Sequence, residues 1–154
     1  MEGIDHLIGL GKIIGNLHSL ELLLRIFLCE AHGENVMFPK SPTGTVPETH
    51  LTNFMSLGDL ITNYNAALTK AEQAYLVDPT VFRIRNAIAH GRLTFLSRTF
   101  PLTLHKFGKP KAGMAPVELV QVISEKWLDD SRVLIFERFE KISRCASARG
   151  YKSF

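Results

Sequence analysis

Between Asp78 and Gly91 the chain reads DPTVFRIRNAIAHG, and Arg85, Asn86 and His90 within it are side chains that could do chemistry. An arginine stays charged at any physiological pH, and its planar fork can hold two phosphate oxygens while charge builds on them. A histidine can give or take a proton near neutrality, and the last turn of a helix, with its partial negative charge, is a place that favours a cation. Asn86 precedes His90 by one helical turn, so it can orient the ring or touch a substrate. Together they suit acid–base chemistry at a phosphate ester.

The element that must position them is a helix over about residues 79–90. Asp78 suits an N-cap, Pro79 the first helical position, and Gly91 a left-handed stop. Val81, Ile84 and Ile88 recur at the spacing of a buried stripe, with Arg83, Arg85, Asn86 and His90 off it. At about 100° per residue, Arg85 and His90 stand roughly 140° apart around the axis. A two-fold dimer closes that gap, because the arginine of one copy can lie beside the histidine of the other.

The hexapeptide Arg85-Asn86-Ala87-Ile88-Ala89-His90 resembles the signature of the HEPN family of helical domains, an arginine and a polar residue followed at short spacing by a histidine. The resemblance implies a metal-independent endoribonuclease without cofactor, in which the 2′-OH of RNA attacks its own phosphate. Arg85, His90 and Asn86 would be its catalytic residues. It also implies a homodimer, a toxin or host-defence role, and a nucleotidyltransferase-like antitoxin as a partner. A different outcome for the same family is a module that binds RNA, nucleotides or a protein without turnover. A plain helical scaffold is the third, with Arg85 paired to Glu21 or Glu72 and His90 capping its helix.

At 154 residues and 45% apolar content the chain has enough for one domain with a real core. The net charge of +3 conceals an asymmetry: residues 1–78 hold four Lys and Arg against nine Asp and Glu, and residues 79–154 fourteen against six. The basic half carries the signature helix, compatible with RNA as a partner. No basic stretch precedes the first apolar residues, and Leu17 to Leu28 is interrupted by His18, Glu21 and Arg25, so neither a signal peptide nor a membrane span is expected and the location is cytoplasmic. Cys29 and Cys145 lack redox or metal spacing and read as buried thiols. The histidines show no metal-ligand spacing, and no metal site is expected.

In chain order, Ile4 to about His32 reads as a central helix, with Gly11 and Gly15 four apart for a close backbone approach. On its apolar face Glu21 needs a partner, either Arg25 one turn on or, as a supporting residue of the site, Arg85. Residues 33–55 read as a long exposed loop with Pro39, Pro42 and Pro47. Ser56 to Asp59 resembles a capping box opening a helix to about Tyr75. Leu93, Phe95, Leu102 and Leu104 alternate around Ser97 to Pro101 as a small hairpin, and GKPKAG at Gly108 to Gly113 is a basic loop without Walker spacing. A last helix is expected from Pro116 towards Cys145, with Trp127 in its core. Along it Arg138, Lys141 and Arg144, together with Arg92, could track an RNA backbone or simply face solvent. Residues 149–154 read as a frayed tail. The fold class expected is all-α, an up-and-down bundle of about four helices with a small β-hairpin inserted after the third.

Overall fold

A computed structural model describes residues 3–38, 44–95 and 101–153. In chain order the elements are α1 (Gly3–Ala31), α2 (Leu57–Ala66), a 3-10 helix (Lys70–Tyr75), α3 (Thr80–His90), β1 (Arg92–Thr94), β2 (Thr103–Phe107), β3 (Val117–Val122) and α4 (Glu125–Ala148). The chain is mostly helical but not purely so, because the strands form an antiparallel sheet in the order β1-β2-β3. Its contacts divide into two compact units, Met1–Leu17 with Thr80–Ile135 and His18–Pro79 with Phe136–Phe154.

The first unit holds α3 and the sheet. The expected hairpin exists, with Arg92 opposite His105, Leu93 opposite Leu104 and Thr94 opposite Thr103; Ser97 to Phe100 of its connection lie outside the described residues. The third strand corrects the helix expected from Pro116. Val117, Val120 and Ile123 are spaced as a helical stripe would be. The β-branched run VELVQV, however, pairs in register with β2, Val120 opposite His105 and Gln121 opposite Leu104. The basic loop between these strands is a tight turn in which Lys111 and Met114 exchange backbone hydrogen bonds at 2.8 and 3.0 Å. Ala112 and Gly113 take positive φ there, 49° and 79°, as a primed turn requires. Ser124 then caps α4, its Oγ accepting from Trp127 N at 3.2 Å. Trp127 is half-buried.

Among the described residues nothing approaches Gly11 or Gly15 closely: nothing lies within 4 Å of a Cβ built on either. Gly9 instead receives a side chain: a Cβ there would stand 2.9 Å from Leu128 Cδ1. Around the open glycines Ile4, Leu7 and Ile8 are exposed. By length and composition α1 could cross a membrane, yet its C-terminal half buries Leu20, Leu24, Phe27 and Leu28 completely.

In the second unit the capping box at Ser56 forms, Ser56 Oγ accepting from Asp59 N at 3.2 Å and Asp59 Oδ2 accepting from Ser56 N at 3.3 Å. The helix it starts ends at Ala66 rather than Tyr75. Asn65 turns its amide onto the chain beyond, accepting from Val77 N and donating to Val77 O, and Thr69 with Glu72 starts a separate 3-10 turn. The expected long loop lies partly outside the described residues, Pro39 and Pro42 included. Its far end is clasped: Arg25 donates to the carbonyls of His50, Asn53 and Met55 at 2.8–2.9 Å. Glu34 accepts from His50 N at 2.8 Å and meets its Nδ1 at 2.9 Å. Residues 149–153, expected to fray, are tied down instead. Arg149 grips Glu72 through two nitrogens at 2.7 and 2.6 Å, donates to Ala67 O at 2.7 Å and lies over the Phe27 ring. The Tyr151 ring meets Phe27 edge-on, and Ser153 donates to Glu30.

Candidate functional site

Helix α3 packs on β2, burying Val81 and Ala87, while Ile84 and Ile88 are only half-buried. The expected stripe is therefore rotated so that Ala87, within the signature itself, meets the sheet side. Gly91 ends the helix for a different reason from the one its type suggested. Its φ is not positive; a Cβ there would meet Ala87 O, Leu104 Cδ1 at 2.5 Å and His105 O at 3.0 Å. Its N–H donates to Ala87 O at 2.7 Å, so the chain passes from helix into β1 without a loop.

His90 is exposed, and its imidazole has no hydrogen-bond or ion-pair partner among the described residues. Arg85 is half-buried and donates to Asn86 Oδ1 at 3.4 Å, a bond too long to hold it firmly. The carboxylates that a structural role for Arg85 would need are engaged elsewhere. Glu21 pairs with Arg25 at 2.9 Å, the partner one turn on that the sequence offered, and Glu72 is taken by Arg149. The signature arginine and histidine are thus available to a ligand.

A cleft of about 410 Å³ on α3 and the sheet is lined by Phe82, Arg83, Asn86, Ala87, Lys106 and Glu118, with neither Arg85 nor His90 in its wall. Asn86 faces this cleft, and Lys106 is paired with Glu118 at 2.6 Å. Sequence reasoning missed Lys106 and Glu118, because reading Val117 onwards as helix dissolved the strand pair that joins them. Arg92 extends along the sheet with its guanidinium carbon 5.4 Å from the centre of the Phe107 ring.

In the second unit Arg138, Lys141 and Arg144 do line one hollow, of about 510 Å³, together with Ala74, Tyr75 and Phe136. Each has an internal partner: Glu137 for Arg138 at 2.8 Å, Leu76 O for Lys141 at 3.0 Å and Glu140 for Arg144 at 3.2 Å. Two glutamates thus offset much of the charge a phosphate track would use. Cys29 and Cys145 are free and buried, and burial pushes both thiols up, away from the nucleophilic thiolate. Among the described residues no three His, Cys, Asp or Glu side chains are grouped as metal ligands. Set against known families, curated proteins and solved structures, the chain finds no match.

Proposed function

We propose that the chain is a metal-independent endoribonuclease of the HEPN type, acting as a homodimer. The observation that carries this is the state of the RNAIAH segment: an exposed His90 at the end of a helix, and an Arg85 held, among the described residues, by nothing firmer than a 3.4 Å contact. Exposed groups of this kind are solvated in the free chain and open to a phosphate ligand. In the reaction one imidazole takes the proton from the 2′-OH, the oxygen attacks the adjacent phosphorus, and the 5′-oxygen leaves with a proton from an acid. The products are a 2′,3′-cyclic phosphate and a 5′-hydroxyl, and two His90 residues in a paired site fill both roles. Arg85 neutralises charge on the non-bridging oxygens, and Asn86 positions.

The angular separation of Arg85 and His90 makes a second copy part of this proposal. Ile4, Leu7 and Ile8, exposed beside the open Gly11 and Gly15, offer apolar surface that a second copy could cover. In the same proposal α1 to α4 form an up-and-down bundle interrupted after α3 by the sheet, and the whole is a toxin or host-defence effector. The test is incubation with a mixed RNA pool in excess chelator, with His90→Ala in parallel and product ends mapped. RNA but not DNA is cut, cyclic ends appear, and His90→Ala loses activity by about 10²-fold or more. Undiminished cutting by His90→Ala removes His90 from the mechanism.

One observation favours binding without turnover: Asn86 opens onto the cleft with Arg83 and Lys106, whereas His90 does not. In that case Arg83→Ala weakens RNA binding and no cleavage products form at any protein concentration.

A further inference from the structure

The face of the sheet turned from α3 carries its own group of aromatic and basic side chains. Leu104 and Lys106 face α3, so strand alternation puts His105 and Phe107 on the opposite side. Arg92 and Val120 flank His105 there through the ladder. Phe107, Val120 and Val122 are 39%, 56% and 45% exposed, an apolar surface left partly open. The His105 and Phe107 rings stand 9° from parallel with centroids 6.4 Å apart. The charged groups along this side are basic: Arg92 lies over the Phe107 ring, whereas Glu118, the one acidic residue of 80–122, is paired with Lys106 on the α3 side. Lys109 and Lys111 are exposed on the turn just beyond Phe107.

We propose that this sheet face binds single-stranded RNA, bases stacking on Phe107 and His105 and phosphates meeting Arg92, Lys109 and Lys111. Aromatic rings accept any base by its π-face, and neighbouring cations follow the backbone, a combination that selects unpaired strands without reading sequence. An acidic protein would meet the same charge, but the near-parallel His105 and Phe107 rings favour flat bases. The guanidinium of Arg92 now lies over Phe107 at 5.4 Å. An arriving base takes its place against the ring and leaves it to a phosphate. This rests on the ribonuclease proposal for RNA as the ligand and adds where the strand lies: along β2, which begins its contact with the signature helix at Gly91.

The experiment measures binding of a short, labelled 2′-O-methyl oligonucleotide by fluorescence anisotropy; the methyl group blocks attack, so binding is read without cleavage. The single strand binds and the matched duplex does not. Phe107→Leu, which keeps apolar bulk but removes the ring, weakens binding about ten-fold or more, while Phe107→Tyr stays near the parent. Arg92→Ala lowers the slope of log affinity against log salt by about 0.7. Equal affinity for duplex and single strand overturns the proposal, as does unchanged binding by Phe107→Leu. So does a change of sedimentation mass in Phe107→Leu, which would give the face to a second copy. If Phe107→Leu binds and cuts normally, only the sheet platform falls; if no oligonucleotide binds at all, the ribonuclease proposal falls with it.

Discussion

Replacing Glu72 by Gln removes one charge from the bidentate pair that ties the 3-10 helix to the end of α4. Both side chains of that pair are only 16% exposed. The Arg149 hydrogen bonds, with help from the Thr69 backbone and hydroxyl, hold the Glu72 carboxyl down at about 2 against an ordinary 4.5. At about 1.36 kcal/mol per unit this corresponds to at most ~3.4 kcal/mol. The residual exposure lowers a realistic figure to about 2–3 kcal/mol. Because the folded value is depressed, the stabilisation is complete above the unfolded pKa and is lost as pH falls through the folded one. Roughly three-fifths of it is gone by about pH 3. Urea melts followed by far-ultraviolet circular dichroism should therefore show Glu72→Gln costing about 2–3 kcal/mol near neutrality. By about pH 3 the cost should shrink to roughly 1 kcal/mol as the parent loses the same interaction. A cost that is the same at both pH values, or under about 0.5 kcal/mol near neutrality, would refute the assignment of Glu72 and Arg149 as the clasp of this unit.

Gly91→Ala sets a methyl group against Leu104 and the His105 carbonyl and should cost about 1–3 kcal/mol, read as a fall in Tm. Gly11→Ala, which meets open space in a helix, should gain up to about 1 kcal/mol; the opposite order would mean that the two glycines had exchanged roles. Arg25→Ala releases the His50, Asn53 and Met55 carbonyls, so chymotrypsin should cut at the exposed Phe54 about ten-fold faster or more, by mass spectrometry. Arg25→Lys should not restore protection, since a single ammonium cannot reach three carbonyls in a fork.

Local chemistry was legible where a signal lies within a few residues. The Ser56–Asp59 cap, the bounds of α3 to within a residue, and the Glu21–Arg25 pair all follow from spacings of three or four. Distant partners were not. Nothing near Asn65 announces that its side chain will hold Val77, and without that bond the apolar positions up to Tyr75 continue the helix plausibly. Val117, Val120 and Ile123 fit a helical stripe, yet Val120 and Val122 also fit one face of a strand. The ladder to β2 decides, and a sequence does not display a ladder. Arg149 reads as the start of a tail until Glu72, far back in the chain, is brought to it. The site was legible in the same degree: Arg85, Asn86 and His90 sit on the expected helix, but the cleft beside Asn86 belongs to Lys106 and Glu118, which only the sheet supplies.

That sheet changes what the signature helix can be asked to do. A helix that ended in a flexible loop would leave His90 free to sample many positions, and an acid–base group held loosely contributes little. Here Gly91 carries the chain straight from His90 into β1, its backbone pressed on Leu104 and the His105 carbonyl. The register then fixes Arg92 opposite His105. His90 is therefore one residue from a strand whose neighbours are held by a hydrogen-bonded ladder. An RNA strand lying on the Phe107 side would be positioned by the same rigid element that positions the imidazole. Displacing β1 should then slow cleavage and weaken single-strand binding together, whereas removing the His90 imidazole should separate the two.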